Sequence, residues 1–76
     1  MPRLPVLKTK ELAKVLIKIG FVEHHRSGSH VQFKHIDGRR TTVSLHAGKD
    51  VPNGTLRAII SDIDMTVEDF IFVMKS

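Results

Sequence analysis

Leu12, Val15, Leu16 and Ile19 recur at i, i+3, i+4 and i+7 behind the polar stretch Thr9, Lys10, Glu11. That spacing is one face of a helix. Thr9 is the expected N-cap, since its hydroxyl can accept an unpaired backbone N–H. Gly20 is the expected left-handed residue that ends the helix. Residues 1–8, with Pro2 and Pro5, read as a short lead-in.

The period then changes to two. A first strand is predicted over 21–26, followed by a turn at Ser27, Gly28 and Ser29. A second is predicted over 30–35, where Val31 and Phe33 alternate with His30, Gln32 and Lys34. A turn around Asp37 and Gly38 leads to a third over 40–45, with Thr41, Val43 and Leu45 on one face and Thr42 and Ser44 on the other. A two-residue Asp37-Gly38 turn would set Phe33 opposite Thr42 and mix the faces, because a slip of one residue flips every side chain. Two odd-length loops avoid this. With Ile36, Asp37 and Gly38 as the loop, Gly38 takes a left-handed bulge position, Val31 faces Val43 and His30 faces Ser44. With a loop centred on Gly38, Phe33 faces Val43 and His30 faces His46. In both, His30 emerges on the face away from the helices, with His46 beside it if the strand persists that far.

After a loop over 46–52, Leu56, Ile59, Ile60 and Ile63 repeat the helical spacing from a start near Asn53. Thr66 is the expected cap of a third helix carrying Val67, Phe70, Ile71 and Met74. Phe72 and Val73 lie outside that stripe, reaching further core or another chain, and 70–74 also reads as a strand. The order α-β-β-β-α with an extra C-terminal helix predicts an α+β fold: a three-stranded antiparallel sheet with helices on one face.

The 76 residues suit one domain, and no long apolar run suggests a membrane span or a signal peptide. The expected compartment is the cytoplasm. With no cysteine, disulfides and thiolate zinc sites are excluded. The net charge of +4 suits a polyanionic partner.

Metal-free ribonuclease chemistry needs a base, an acid and positive charge. Histidine suits either proton-transfer role near neutral pH. His30, directly after the Ser-Gly-Ser turn, and His46 on the same face are the candidates. Lys49 and the free N–H groups around Gly54 and Thr55 can hold phosphate. Lys34, Arg39, Arg40 and Arg57 can line an RNA strand. His24, His25 and His35 read as ordinary surface residues, and the histidine spacings match no common metal motif. Neither a metal nor a small-molecule cofactor is expected. A non-catalytic RNA-binding module and a partner-binding protein with an apolar C-terminal helix are the rival readings.

Several short motifs in order carry a family resemblance over about residues 7–70. They are Gly20-Phe21, Arg26, Gly28-Ser29-His30 with Phe33, Asp37-Gly38-Arg39-Arg40, Thr42-Val43, His46, Gly48-Lys49 and Gly54-Thr55-Leu56. In this arrangement the chain resembles the HicA (YcfA-like) toxin family. The resemblance implies a double-stranded-RNA-binding-domain-like fold and an mRNA interferase that cleaves transcripts. It implies His30 as the catalytic histidine and a HicB-type antitoxin as the neutralising partner. Members of that family often have proline where this chain has Ser44, and glycine where it has Asp64. The first departure is expected to loosen the strand end that positions His46, and the second to cost a little turn stability.

Overall fold

A computed structural model of the protein describes residues 3–46 and 48–76. The elements are α1 (Thr9–Lys18), β1 (Val22–Ser27), β2 (His30–Lys34), β3 (Arg40–Ser44), α2 (Asn53–Asp62) and α3 (Val67–Lys75). The strands form one antiparallel sheet in the order β1-β2-β3. Val31, Phe33, Thr41 and Val43 are buried on the helix side, and the residues between them are exposed or half-buried on the other. This is the α+β arrangement predicted from the change of period, with the dsRBD-like order of elements.

The start of α1 differs from expectation. Lys8 is the N-cap residue, and its N–H donates to Glu11 Oε1 at 2.8 Å. Thr9 is instead the first helical residue. Its buried hydroxyl donates to the carbonyl of His46 at 3.0 Å. The helix end is as predicted: Gly20 has φ +102°, and the N–H groups of Gly20 and Phe21 donate to Ile17 and Leu16, each at 3.0 Å. These two bonds are a Schellman closure. An added Cβ at Gly20 would stand 2.8 Å from His35 Nε2, so close approach as well as backbone angle requires glycine.

The β2–β3 turn takes the first of the two predicted registers. His30 pairs with Ser44 and Val31 with Val43. The His35 N–H donates to the Arg39 carbonyl at 2.8 Å, closing a loop of Ile36, Asp37 and Gly38, and Gly38 has φ +99°. The β1–β2 turn is tighter than expected, with Gly28 and Ser29 between the pair Ser27 and His30.

Leu12, Leu16, Phe21, Phe33, Leu56, Ile63 and Phe70 form the centre of the core. The lead-in belongs to it as well, through buried Leu4 and Leu7. In α3, Thr66 caps the helix by accepting from the Asp69 N–H at 3.0 Å. Val67, Val73 and Met74 pack against the core beside buried Phe70. Val73 therefore takes the inward place predicted for Ile71, while Phe72 is 75% exposed. Every residue of β1 is exposed, so the helices cover β2 and β3 only. A bulge between Glu23 and His25 interrupts the β1–β2 ladder.

Candidate active site

The helix-free face of the sheet carries the chemistry-bearing side chains. Hydrogen-bonded and non-hydrogen-bonded pairs alternate along an antiparallel ladder. The bonds from His35 to Arg39 and from the Leu45 N–H to the Ser29 carbonyl (2.7 Å) fix which pairs are which. The outward pairs His30/Ser44, Gln32/Thr42 and Lys34/Arg40 are thus all of the non-hydrogen-bonded kind, whose side chains stand closer together, with Cβ atoms about 4.5–5.5 Å apart. His30 is exposed. Ser27 of β1 is its partner on one side and Ser44 of β3 on the other.

His46 lies just past the end of β3. Its Nε2 is 3.2 Å from Ser44 Oγ and 3.5 Å from Ser29 Oγ. The strand does not loosen at Ser44, as the family comparison had implied. The ladder runs one step further, to Leu45, and the Ser44 hydroxyl meets the His46 ring. Proline here would cost no ladder bond, because the Ser44 N–H points to the open edge of the sheet.

The loop after His46 is stitched to the start of the chain. The Thr9 N–H donates to the Lys49 carbonyl at 3.2 Å, and the Val51 N–H to the Leu7 carbonyl at 2.8 Å. Lys8 pairs with Asp50 at 2.9 Å. Within the loop, the Lys49 N–H donates to the His46 carbonyl at 3.1 Å. The backbone at His46 is therefore fixed from two directions, by Thr9 and by Lys49.

The cationic candidates divide. Lys34 and Arg40 are exposed and directly opposite each other. Like charges so placed repel, and among the described residues neither forms an ion pair. Lys49 is exposed in the stitched loop. Gly54 and Thr55 lie in the first turn of α2, whose N-cap residue is Pro52 and which has no side-chain cap. Arg57 donates through Nε to Asn53 Oδ1 at 3.0 Å on that same turn.

Arg39 was expected to face RNA, but it is engaged within the fold. It donates through a terminal guanidinium nitrogen to the Ile63 carbonyl at 2.6 Å and through Nε to Asp37 at 2.8 Å. Its guanidinium carbon lies 5.2 Å from the Phe21 ring centre. His35 is likewise no ordinary surface residue. Its side chain is 17% exposed, with Nε2 3.2 Å from the Ile19 carbonyl. His24 and His25 are exposed on β1, as read from the sequence.

Sequence reasoning missed Ser27, Ser29 and Ser44 as neighbours of the two histidines, and Thr9 as the anchor of His46. The register argument carried the signal for Ser44, since it set this residue opposite His30. Hydroxyls in a turn or at the end of a strand have no periodic signature of their own.

No curated protein matches the chain. The sequence does match the family described as the HicA toxin of bacterial toxin–antitoxin systems, over residues 9–65. The match runs from the first residue of α1 to the turn before α3 and includes every side chain of the face just described. Spanning most of the sequence, it shows that the chain belongs to the HicA toxin family.

Proposed function

We propose that the protein is an mRNA interferase, a toxin that cuts RNA on the helix-free face of its sheet. His30 is its catalytic acid or base. The observation that carries this reading is the placement of His30. It stands exposed between two serines, with the second imidazole just past the end of β3 and unpaired cations at the other end of the same face.

In this chemistry an imidazole takes the proton from a ribose 2′-hydroxyl. The 2′-oxygen forms a bond to the adjacent phosphorus, and the bond from phosphorus to the 5′-oxygen breaks. A second proton donor protonates that leaving oxygen. His30 takes one of these roles and His46 assists in the other. Lys34, Arg40, Lys49 and Arg57, with the free N–H groups at Gly54 and Thr55, hold phosphates along the strand. The protein acts in the cytosol, where transcripts are, and a HicB-type antitoxin neutralises it.

The test is incubation of purified wild type and His30→Ala with a defined mRNA in EDTA. A positioned acid–base group contributes roughly 10²–10⁴-fold, so the variant is expected to lose that much rate while still folding and binding RNA. Equal cleavage by both proteins would overturn the role of His30. Loss of wild-type cleavage in EDTA would overturn the metal-free mechanism. RNA binding with no cleavage by wild type would leave a binding module of the same fold.

A further inference from the structure

Resting on the reading of His30 and His46 as the proton-transferring pair, we propose that Ser44 is a positioning residue for it. Its hydroxyl holds the Nε2 edge of His46 against the sheet, so that Nδ1 is the nitrogen that meets substrate.

Three observations converge on this. First, the His46 backbone is already immobilised. Its carbonyl accepts from the Thr9 hydroxyl at 3.0 Å and from the Lys49 N–H at 3.1 Å, so rotation of the side chain is the freedom that remains. Second, among the described residues the side chains within hydrogen-bond distance of the His46 ring are two serines, both at Nε2. Ser44 is the nearer, at 3.2 Å against 3.5 Å for Ser29. Third, Ser44 is itself rigidly placed. The pair Val31 and Val43 and the bond from Leu45 to Ser29 fix its register from both sides. Ser29, by contrast, sits in the turn.

A serine hydroxyl both donates and accepts, so it satisfies Nε2 whether or not that nitrogen carries the proton. In either state the bond leaves Nδ1 unbonded. Ser44 is also the direct cross-strand partner of His30, in the closer kind of pair. One short side chain thus faces His30 across the ladder and meets the ring of His46, which sets the second imidazole relative to the strand that carries the first.

The experiment compares Ser44→Ala and Ser44→Thr with wild type. The His46 ring tautomer is read by ¹⁵N-edited NMR, together with kcat, KM and the pH–rate profile for RNA cleavage. A single hydrogen bond of ordinary strength corresponds to about a fivefold effect. Ser44→Ala is expected to shift and broaden the His46 ring signals as its orientation is released, lower kcat about fivefold, displace one limb of the pH profile and leave KM near wild type. Ser44→Thr keeps the hydroxyl and suits a strand, so it is expected to restore all of these. An unchanged His46 ring signature in Ser44→Ala, or a threonine variant that fails to restore what alanine loses, would overturn the proposal. If His30→Ala cleaves like wild type while Ser44→Ala still alters the His46 ring, the catalytic reading falls and the positioning contact stands.

Discussion

His35, Asp37 and Arg39 at the turn of the β2–β3 hairpin, gathered on Phe21, show how a surface-looking sequence becomes a structural knot. The Asp37 N–H donates to His35 Nδ1 at 3.1 Å, which requires that nitrogen to be unprotonated. His35 Nε2 then carries the proton and donates to Ile19. The same Nδ1 lies 3.1 Å from Asp37 Oδ1. The imidazole meets Phe21 edge-on, with ring centres 5.1 Å apart, and Arg39 covers that same phenylalanine. The Arg39 backbone N–H, followed by its side chain, holds the Asp37 carboxyl below its usual pKa. A carboxylate with a lowered folded-state pKa adds stability above the unfolded value of about 4, and that stability is lost as pH falls through the folded value. Asp37→Asn is therefore expected to lower the urea midpoint slightly at pH 7, with the gap to wild type closing as the pH drops below about 4. A gap that persists undiminished in acid would show that charge plays no part.

At the scale of elements, the turn between α2 and α3 repeats the closure that ends α1, with a different residue. The Asp64 N–H donates to Ser61 at 3.0 Å and the Met65 N–H to Ile60 at 3.2 Å. Asp64 itself has φ +57°, in the left-handed region where residues with a Cβ are strained. Asp64→Gly is expected to raise stability by about 0.5–1 kcal/mol, the relief at Cβ being partly offset by the greater freedom of the unfolded chain. Chemical denaturation measures it, and a loss of stability would contradict the expectation. The glycine-to-aspartate departure, and its cost, were legible before any coordinates were known. So were α1, α2 and strands β2 and β3, because each writes its buried face into the sequence at a fixed period; α3 was less legible, since 70–74 also reads as a strand and Val73, not Ile71, packs on the core. Strand β1 was legible from its flanking turns alone, since both its faces meet solvent and no alternation is imposed on it. Its bulge was invisible for the same reason. The sites of Arg39 and His35 were not legible either. Their partners Ile63 and Ile19 are backbone carbonyls, and any residue type presents one.

For the whole molecule, the net charge of +4 matters less than where free charge lies. Three of the described cations, Lys8, Arg26 and Arg39, pair with acids. Lys34 and Arg40 do not, and they stand four strand positions from His30, about 13 Å at 3.3 Å per residue. An RNA strand lying along β2 meets the cations at one end and the imidazoles at the other. Each phosphate contact with a single strand contributes about 0.7 to the slope of log affinity against log salt. In a His30→Ala background, Lys34→Ala and Arg40→Ala are each expected to reduce that slope by about 0.7, as read by fluorescence anisotropy with an unstructured RNA. Unchanged slopes would remove both residues from the binding face.

That face is nearly level. The hollow bounded by His24, Gln32, Lys34, Arg40 and Thr42 has a volume of about 130 Å³, whereas sites that enclose drug-sized molecules span roughly 300–1,000 Å³. A small molecule finds too little wall to grip in that hollow. Something as broad as the sheet, by contrast, can lie across the imidazoles and the cations at once, so blocking this face is a task for a macromolecular cover rather than a plug.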